Sequence, residues 1–207
     1  MSTPPAAPAR PDRNEQLNAL RRQLIMDAAQ RVFERDGLEK TTIRAIASEA
    51  GCTTGAVYPW FAGKEAIYGA LLDESLQRLH AHLIDTAARS LPGSAARDAI
   101  RAFFGYYADR PTDFSLGLYL FRGPGPRGLG REMDEQLNGR LRDSIDLLGQ
   151  ALARTKPWDA ATIATEQMNT FTYLMGLLLL LHTHRLKSLG QQADALLDQY
   201  CLVLEQR

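Results

Sequence analysis

Cysteine is scarce in this chain of 207 residues: only Cys52 and Cys201 occur, far apart and outside any C-x-x-C pair. That excludes a disulfide framework and a zinc finger, and it fits a reducing compartment. A long apolar run is also missing. The longest, Phe171 to Leu181, falls well short of the roughly 20 residues that span a bilayer, so no membrane crossing is expected. Residues Met1 to Arg10 are rich in Pro and Ala and hold no apolar signal-peptide segment, so the expected location is the cytoplasm. Net charge is absent too, 24 basic residues balancing 24 acidic ones. Binding to a polyanion must then come from local clusters of cations. No Gly-Lys-Ser/Thr triplet marks a P-loop, and no Ser/His/Asp, Cys/His or paired-carboxylate constellation stands out. Neither a catalytic role nor a cofactor is expected.

What the chain has instead is helical periodicity, with little period-two alternation. Leu17, Leu20, Leu24, Ala28 and Val32 form one stripe, with Ile25, Ala29 and Phe33 beside it, and Asp36-Gly37 closes that helix. Thr41 and Thr42 offer an N-cap for a short helix, Ile43 to Ala50, which Gly51 stops. Thr53 or Thr54 caps another short helix predicted to reach about Phe61. After Gly63 a long helix carries Ile67, Leu71, Leu72, Leu76, Leu79 and Leu83 on one face, up to Pro92-Gly93. Further helices follow: one with Ile100, Phe103, Phe104 and Tyr107, a shorter one over Asp113 to Phe121, and one with Met133 to Leu152. The last two run from Trp158 to about His184, apolar almost all round in its second half, and from Gln191 to Glu205. The expectation is an all-α fold of about nine helices.

The stretch most informative about function is Ile25 to Leu72. Two short helices joined by Gly51-Cys52-Thr53 have the helix-turn-helix shape, in which the second helix lies in a major groove of double-stranded DNA. Thr53 and Thr54 put hydroxyls and backbone N–H groups where phosphates bind. Gly55 and Ala56 leave the leading face bare enough to approach base edges. Tyr58, one turn later, and the indole N–H of Trp60 reach toward the phosphate backbone. Lys64 opens the long helix, where its cation opposes the helix dipole, which favours a phosphate contact over a role in helix stability. Val32, Phe33, Ile46, Ala47, Val57 and Phe61 read as packing residues, and Thr42 as a helix cap first.

The runs Ile25-Met-Asp-Ala-Ala-Gln-Arg-Val-Phe-Glu-Arg-Asp-Gly37, Thr41-Thr-Ile-Arg-Ala-Ile-Ala-Ser-Glu-Ala-Gly51 and Thr54-Gly-Ala-Val-Tyr58, with Phe61 and Lys64-Glu65, closely resemble the DNA-binding domain of the TetR/AcrR family. The resemblance implies a three-helix DNA-binding head over 18–66, behind a basic, Pro-rich arm at 1–17. It also implies a C-terminal helical domain over 67–207 that binds an effector and dimerises through the last two long helices. By it, Thr42, Arg44, Thr53, Thr54, Gly55, Tyr58 and Lys64 are the DNA contacts. Pro59-Trp60 and Cys52 depart from the family's pattern, and Pro59 predicts a recognition helix that is short or kinked at its end. Arg10, Arg13, Arg21 and Arg22 surround the arm, as minor-groove or backbone contacts or as a solvated tail.

In the C-terminal half, the candidate effector residues are the aromatics Phe103, Phe104, Tyr107, Tyr119 and Tyr173 and the polar Glu166, Asn169 and Thr170. Aromatic stripes are core before they are pocket, whereas polar groups on a largely apolar helix need partners or a ligand. The G-x-G-x-x-G of the Gly/Pro/Arg loop 122–131 has no preceding strand and reads as a connector. His80 with His82, and His182 with His184, lie two residues apart and face different ways, so no metal site is expected. The resemblance implies a homodimeric repressor released from a palindromic operator by a small molecule, and the apolar residues suggest that this ligand is hydrophobic or aromatic. An enzyme built on the C-terminal cavity and an architectural DNA binder without an effector are the rival readings.

Overall fold

The structure is a computed structural model that describes residues 13–119 and 130–207. Its elements are α1 (Arg13–Asp36), α2 (Ile43–Glu49), α3 (Thr54–Val57), α4 (Lys64–Arg89), a 3-10 turn (Pro92–Ser94), α5 (Ala95–Ala108), α6 (Pro111–Tyr119), α7 (Arg131–Thr155), α8 (Ala160–His182), α9 (Arg185–Ser188) and α10 (Ala193–Gln206). Among the described residues there is no strand. The fold is all-α, and the four-residue α9 is the element that periodicity did not reveal, because it is shorter than one apolar repeat. The backbone divides into two compact units, Met1–Ile67 and Tyr68–Arg207. No helix among the described residues is long and apolar enough to cross a membrane.

In the first unit, α1 begins at Arg13, so residues 13–17, expected in the arm, are helical. Its second half buries Ile25, Met26, Ala28, Ala29, Val32 and Phe33; α1 packs on α2 and α2 on α3, and Ile46, Ala47, Val57 and Phe61 are buried as well. The first half does not continue that stripe. Leu17, Leu20 and Leu24 are exposed, and from Arg13 to Leu24 only Arg22 is partly covered. Arg22 lies over the Phe61 ring, 5.1 Å from its centroid.

The second unit is built on α5, which packs against α7 and α8. Ile100, Phe103, Phe104 and Tyr107 of α5 meet Leu148 and Leu152 of α7, Leu174 and Leu178 of α8, and Leu197, Cys201 and Leu204 of α10. The α4–α7 seam is closed at one end by Asp73 with Arg140 and at the other by Arg154. That guanidinium donates to the carbonyls of Ala87 (2.8 Å) and Ser90 (2.7 Å). Helix α8, apolar almost all round in its second half, is covered on one side. Thr165, Met168, Thr172, Gly176, Leu179 and Leu180 are exposed along the other, and Leu202 and Val203 of α10 are exposed as well.

Candidate functional site

The helix-turn-helix rests on local chemistry at its turns. Gly37 (φ +78°) and Gly51 (φ +68°) adopt the left-handed conformation that ends α1 and α2. After Gly51 the amide of Cys52 donates to Ala47 O (2.9 Å), which reverses the chain in three residues. The cap at α2 is Thr42, whose Oγ1 accepts from the Ala45 amide (3.1 Å). Its neighbour Thr41 is buried and donates to Gly37 O (2.9 Å). Thr42 therefore has the capping role that sequence assigned it first, with its side chain still at the exposed edge.

The second helix is shorter than the expected end near Phe61: α3 stops at Val57. Pro59 explains the difference, because it has no N–H to give to the Gly55 carbonyl. The chain continues as a tight turn in which both Trp60 N (3.0 Å) and Phe61 N (3.1 Å) donate to Val57 O. Val57 and Phe61 point into the core while Thr53, Thr54, Gly55, Ala56 and Tyr58 are exposed, Tyr58 to 57%. A Cβ built on Gly55 would meet only Thr53 Oγ1 at 3.8 Å, so this face is open. Arg44, on α2, is exposed, and Trp60 is half-buried. Thr53 makes no side-chain cap bond to α3.

Lys64, expected as a phosphate contact, makes a bond within the head. Its ammonium donates to Thr41 O (3.4 Å), which ties the start of α4 to the loop before α2. A second tie joins α1 to α2. Arg31 and Arg35 both bind the carboxylate of Glu49, at 2.8 and 3.0 Å, and Arg35 also binds Asp36 at 3.1 Å. Hydrogen bonds from Arg31 and then Arg35 hold Glu49 below its usual carboxylate range. A carboxyl depressed in the folded state stabilises that state above its unfolded pKa, and the effect is lost as pH falls through the folded value. Thermal melts of Glu49→Gln and the parent should therefore differ at neutral pH and converge on acidification below pH 4.5. A constant difference at all pH values would show that the ion pairs contribute nothing.

The effector candidates are mostly occupied. Phe103, Phe104 and Tyr107 are buried in the α5–α8 core, with ring centroids 5.5 Å apart for Phe103–Tyr107 and 6.1 Å for Phe103–Phe171. Burial pushes the Tyr107 hydroxyl far above its ordinary pKa, so it stays neutral. Thr170 is buried and bonds the Tyr200 hydroxyl (2.9 Å), while Tyr173 stacks on Tyr200 at 4.1 Å and donates to Leu196 O (2.8 Å). Both are fixed in α8–α10 packing. Glu166 is paired with Arg207 (3.1 Å), and Asn169 is exposed. The side chain of Tyr119 and most of loop 122–131 lie outside the described residues. His182 bonds Tyr107 O (2.9 Å) and His184 caps α9 at φ +57°.

Sequence reasoning missed the polar cluster inside this unit. Tyr106 donates to Ser75 O (2.9 Å) and lies 3.3 Å from Asp113 Oδ2, which Arg78 also reaches at 3.3 Å. One signal was available: Ser75 interrupts the apolar stripe between Leu72 and Leu76.

Residues 25–71 match the family model for bacterial regulatory proteins of the tetR family. The chain is 32% identical to the transcriptional regulator BetI of Vibrio parahaemolyticus over 137 residues, 62% of this chain and 68% of that one. It is 34% identical over 120 residues to the nicotine-responsive transcriptional repressor HdnoR of Paenarthrobacter nicotinovorans. That match takes in 54% of this chain and spans 60% of HdnoR's length. The crystal structure of the putative regulatory protein SCO4313 shares the fold at a TM-score of 0.79 and 18% identity, with 96% of this chain and 100% of that one covered. The head geometry, the match over 25–71 and the similarity to BetI lead to one conclusion: this chain belongs to the TetR family of bacterial regulatory proteins.

Proposed function

We propose that this protein is a cytoplasmic transcription regulator that represses from a palindromic operator and is released by a small molecule. The observation that carries the reading is the open face of Thr53, Thr54, Gly55, Ala56 and Tyr58, backed by buried Val57, with Arg44 of α2 exposed as well. A helix with small residues exposed along one face and a buried apolar anchor behind them fits a major groove, hydroxyls meeting phosphates and the bare centre meeting base edges. Thr42 and the Trp60 N–H complete the set of proposed phosphate contacts. Lys64 sets the loop that presents Thr42 and is proposed to add its charge to the same surface. Regulator names among the relatives, one of them nicotine-responsive, support regulation by a ligand over catalysis.

The apolar, uncovered faces of α8 and α10 support a homodimer, in which each copy covers the other's Met168, Leu179 and Leu202. Two heads related by a two-fold axis read two half-sites about one helical turn apart, or slightly more. The effector, a hydrophobic or aromatic molecule, is proposed to bind in the second unit and to favour one of two head spacings.

Selection of bound duplexes from a random pool tests this reading. A palindromic consensus is the expected result, and recovery of no sequence above non-specific background overturns it. Tyr58→Phe on the selected duplex should weaken binding and leave its salt dependence unchanged, because the phenol it removes carries no charge.

A further inference from the structure

The cluster around Asp113 has a composition that packing alone does not require. Asp113 stands in the first turn of α6 and is 5% exposed, yet it is a carboxylate. Around it are aromatic rings: Tyr106 with its hydroxyl at 3.3 Å, Tyr107 at 5.1 Å from Tyr106, and Phe114 at 5.9 Å from Tyr107, centroid to centroid. The Tyr106 phenol has a single proton, and the Ser75 carbonyl at 2.9 Å is its better acceptor. The Arg78 guanidinium at 3.3 Å therefore meets the charge on Asp113.

Arg78 is a poor permanent partner. Its side chain is 49% exposed, its contact with Asp113 is long and shared with the Tyr106 hydroxyl, and a second carboxylate, Glu74 one turn earlier on α4, lies 3.6 Å away. Arg110 is exposed as well, with its guanidinium 4.5 Å over the Tyr106 ring and a bond to Tyr106 O (3.2 Å). Two surface arginines thus reach inward, one onto a buried carboxylate and one onto an adjoining aromatic face. Each supplies a delocalised organic cation to a group that attracts one.

We propose that these guanidinium groups hold the place of a ligand, and that Asp113 with Tyr106 and its neighbouring rings is a binding site for a small organic cation. The class is a quaternary or protonated tertiary ammonium. On binding, the ligand cation meets Asp113 and the ring faces, Arg78 turns to Glu74, and Arg110 leaves the Tyr106 face. An anion is repelled by Asp113. A neutral ligand that displaced Arg78 would leave a buried carboxylate without a counter-charge, which is costly. A weakly hydrated alkylammonium gives up less solvation than a metal ion would. The inference rests on the reading of this chain as ligand-responsive and names the chemistry of the effector's polar end.

The test uses the full chain without DNA, with benzyltrimethylammonium as probe and benzyl alcohol as its neutral counterpart, in buffers matched for ionic strength. The cation should bind saturably by calorimetry and raise Tm, while the alcohol does neither. Asp113→Asn should weaken cation binding by about tenfold or more. Arg78→Ala removes the competitor and leaves the carboxylate uncompensated, so it should lower Tm and then be stabilised by the cation more than the parent is. That last readout keeps the proposal testable even if Asp113→Asn fails to fold, and a merely structural Arg78–Asp113 pair would not produce it. Equal binding of the alcohol, or no cation-specific rise in Tm in either parent or Arg78→Ala, overturns the proposal. Duplex selection stays a separate measurement. Cation binding without operator enrichment leaves the site standing and defeats the regulator, and enrichment without cation binding does the reverse.

Discussion

Ala56→Glu should reduce affinity for the selected operator by about a hundredfold or more while leaving the fold intact. Ala56 is exposed on α3, between the open position at Gly55 and buried Val57. Glutamate there makes no clash within the head, and a surface substitution of this kind changes stability by about 0.5 kcal/mol at most. Against DNA it is expected to do two things: fill the surface proposed to approach base edges, and set a carboxylate among phosphates. Like-charge juxtaposition at an interface costs several kcal/mol, and each 1.4 kcal/mol is tenfold in affinity. Circular dichroism and Tm report the fold, and a titration of labelled duplex reports the affinity. Binding within a few-fold of the parent would remove α3 from the interface.

Phe103→Ala should lower the unfolding free energy by about 3–5 kcal/mol. Phe103 is 0% exposed and its ring sits between Tyr107 and Phe171, edge-on to the latter at 86°. Truncation deletes the transfer term of a benzyl group and leaves a hole that three packed helices fill only in part. The lost ring pairs, about 0.5–1.5 kcal/mol each, are part of that total. Since whole domains are stable by only about 5–15 kcal/mol, Phe103→Leu is the practical companion, with a smaller loss of the same sign. Urea titration followed by far-ultraviolet dichroism measures both. A loss below about 1 kcal/mol would mean that Phe103 borders open space, as an effector pocket would require, and not packed core.

The head was largely legible from sequence because its determinants are local. A glycine in the left-handed region, a threonine cap three residues before its amide, and apolar residues at helical spacing each act within one turn. Ile46, Ala47, Val57 and Phe61, read as packing residues, are all buried. Pro59 was visible too, but its full effect, an α3 of four residues, depends on which carbonyl loses its donor. The C-terminal unit was harder to read. Ser75, Tyr106 and Asp113 meet across three helices, Thr170 finds Tyr200 thirty residues on, and no periodicity records such pairings. Periodicity also overreached: Leu17, Leu20 and Leu24 continue the core stripe of α1 in spacing but not in burial, since spacing defines a face and not its neighbour.

That uncovered half of α1 has a dynamic consequence. A helix of about a dozen residues is marginal in water without apolar burial, and here every residue from Arg13 to Leu24 is exposed except Arg22, which lies over the Phe61 ring, ahead of a buried half that begins at Ile25. That segment should therefore open more readily than the buried half while the head stays folded. Amide exchange would record this as a gradient along a single helix, fast near Arg13, slowing through Leu20, and reaching the protection of the whole head by Met26. Any partner that grips the leucine stripe would flatten the gradient.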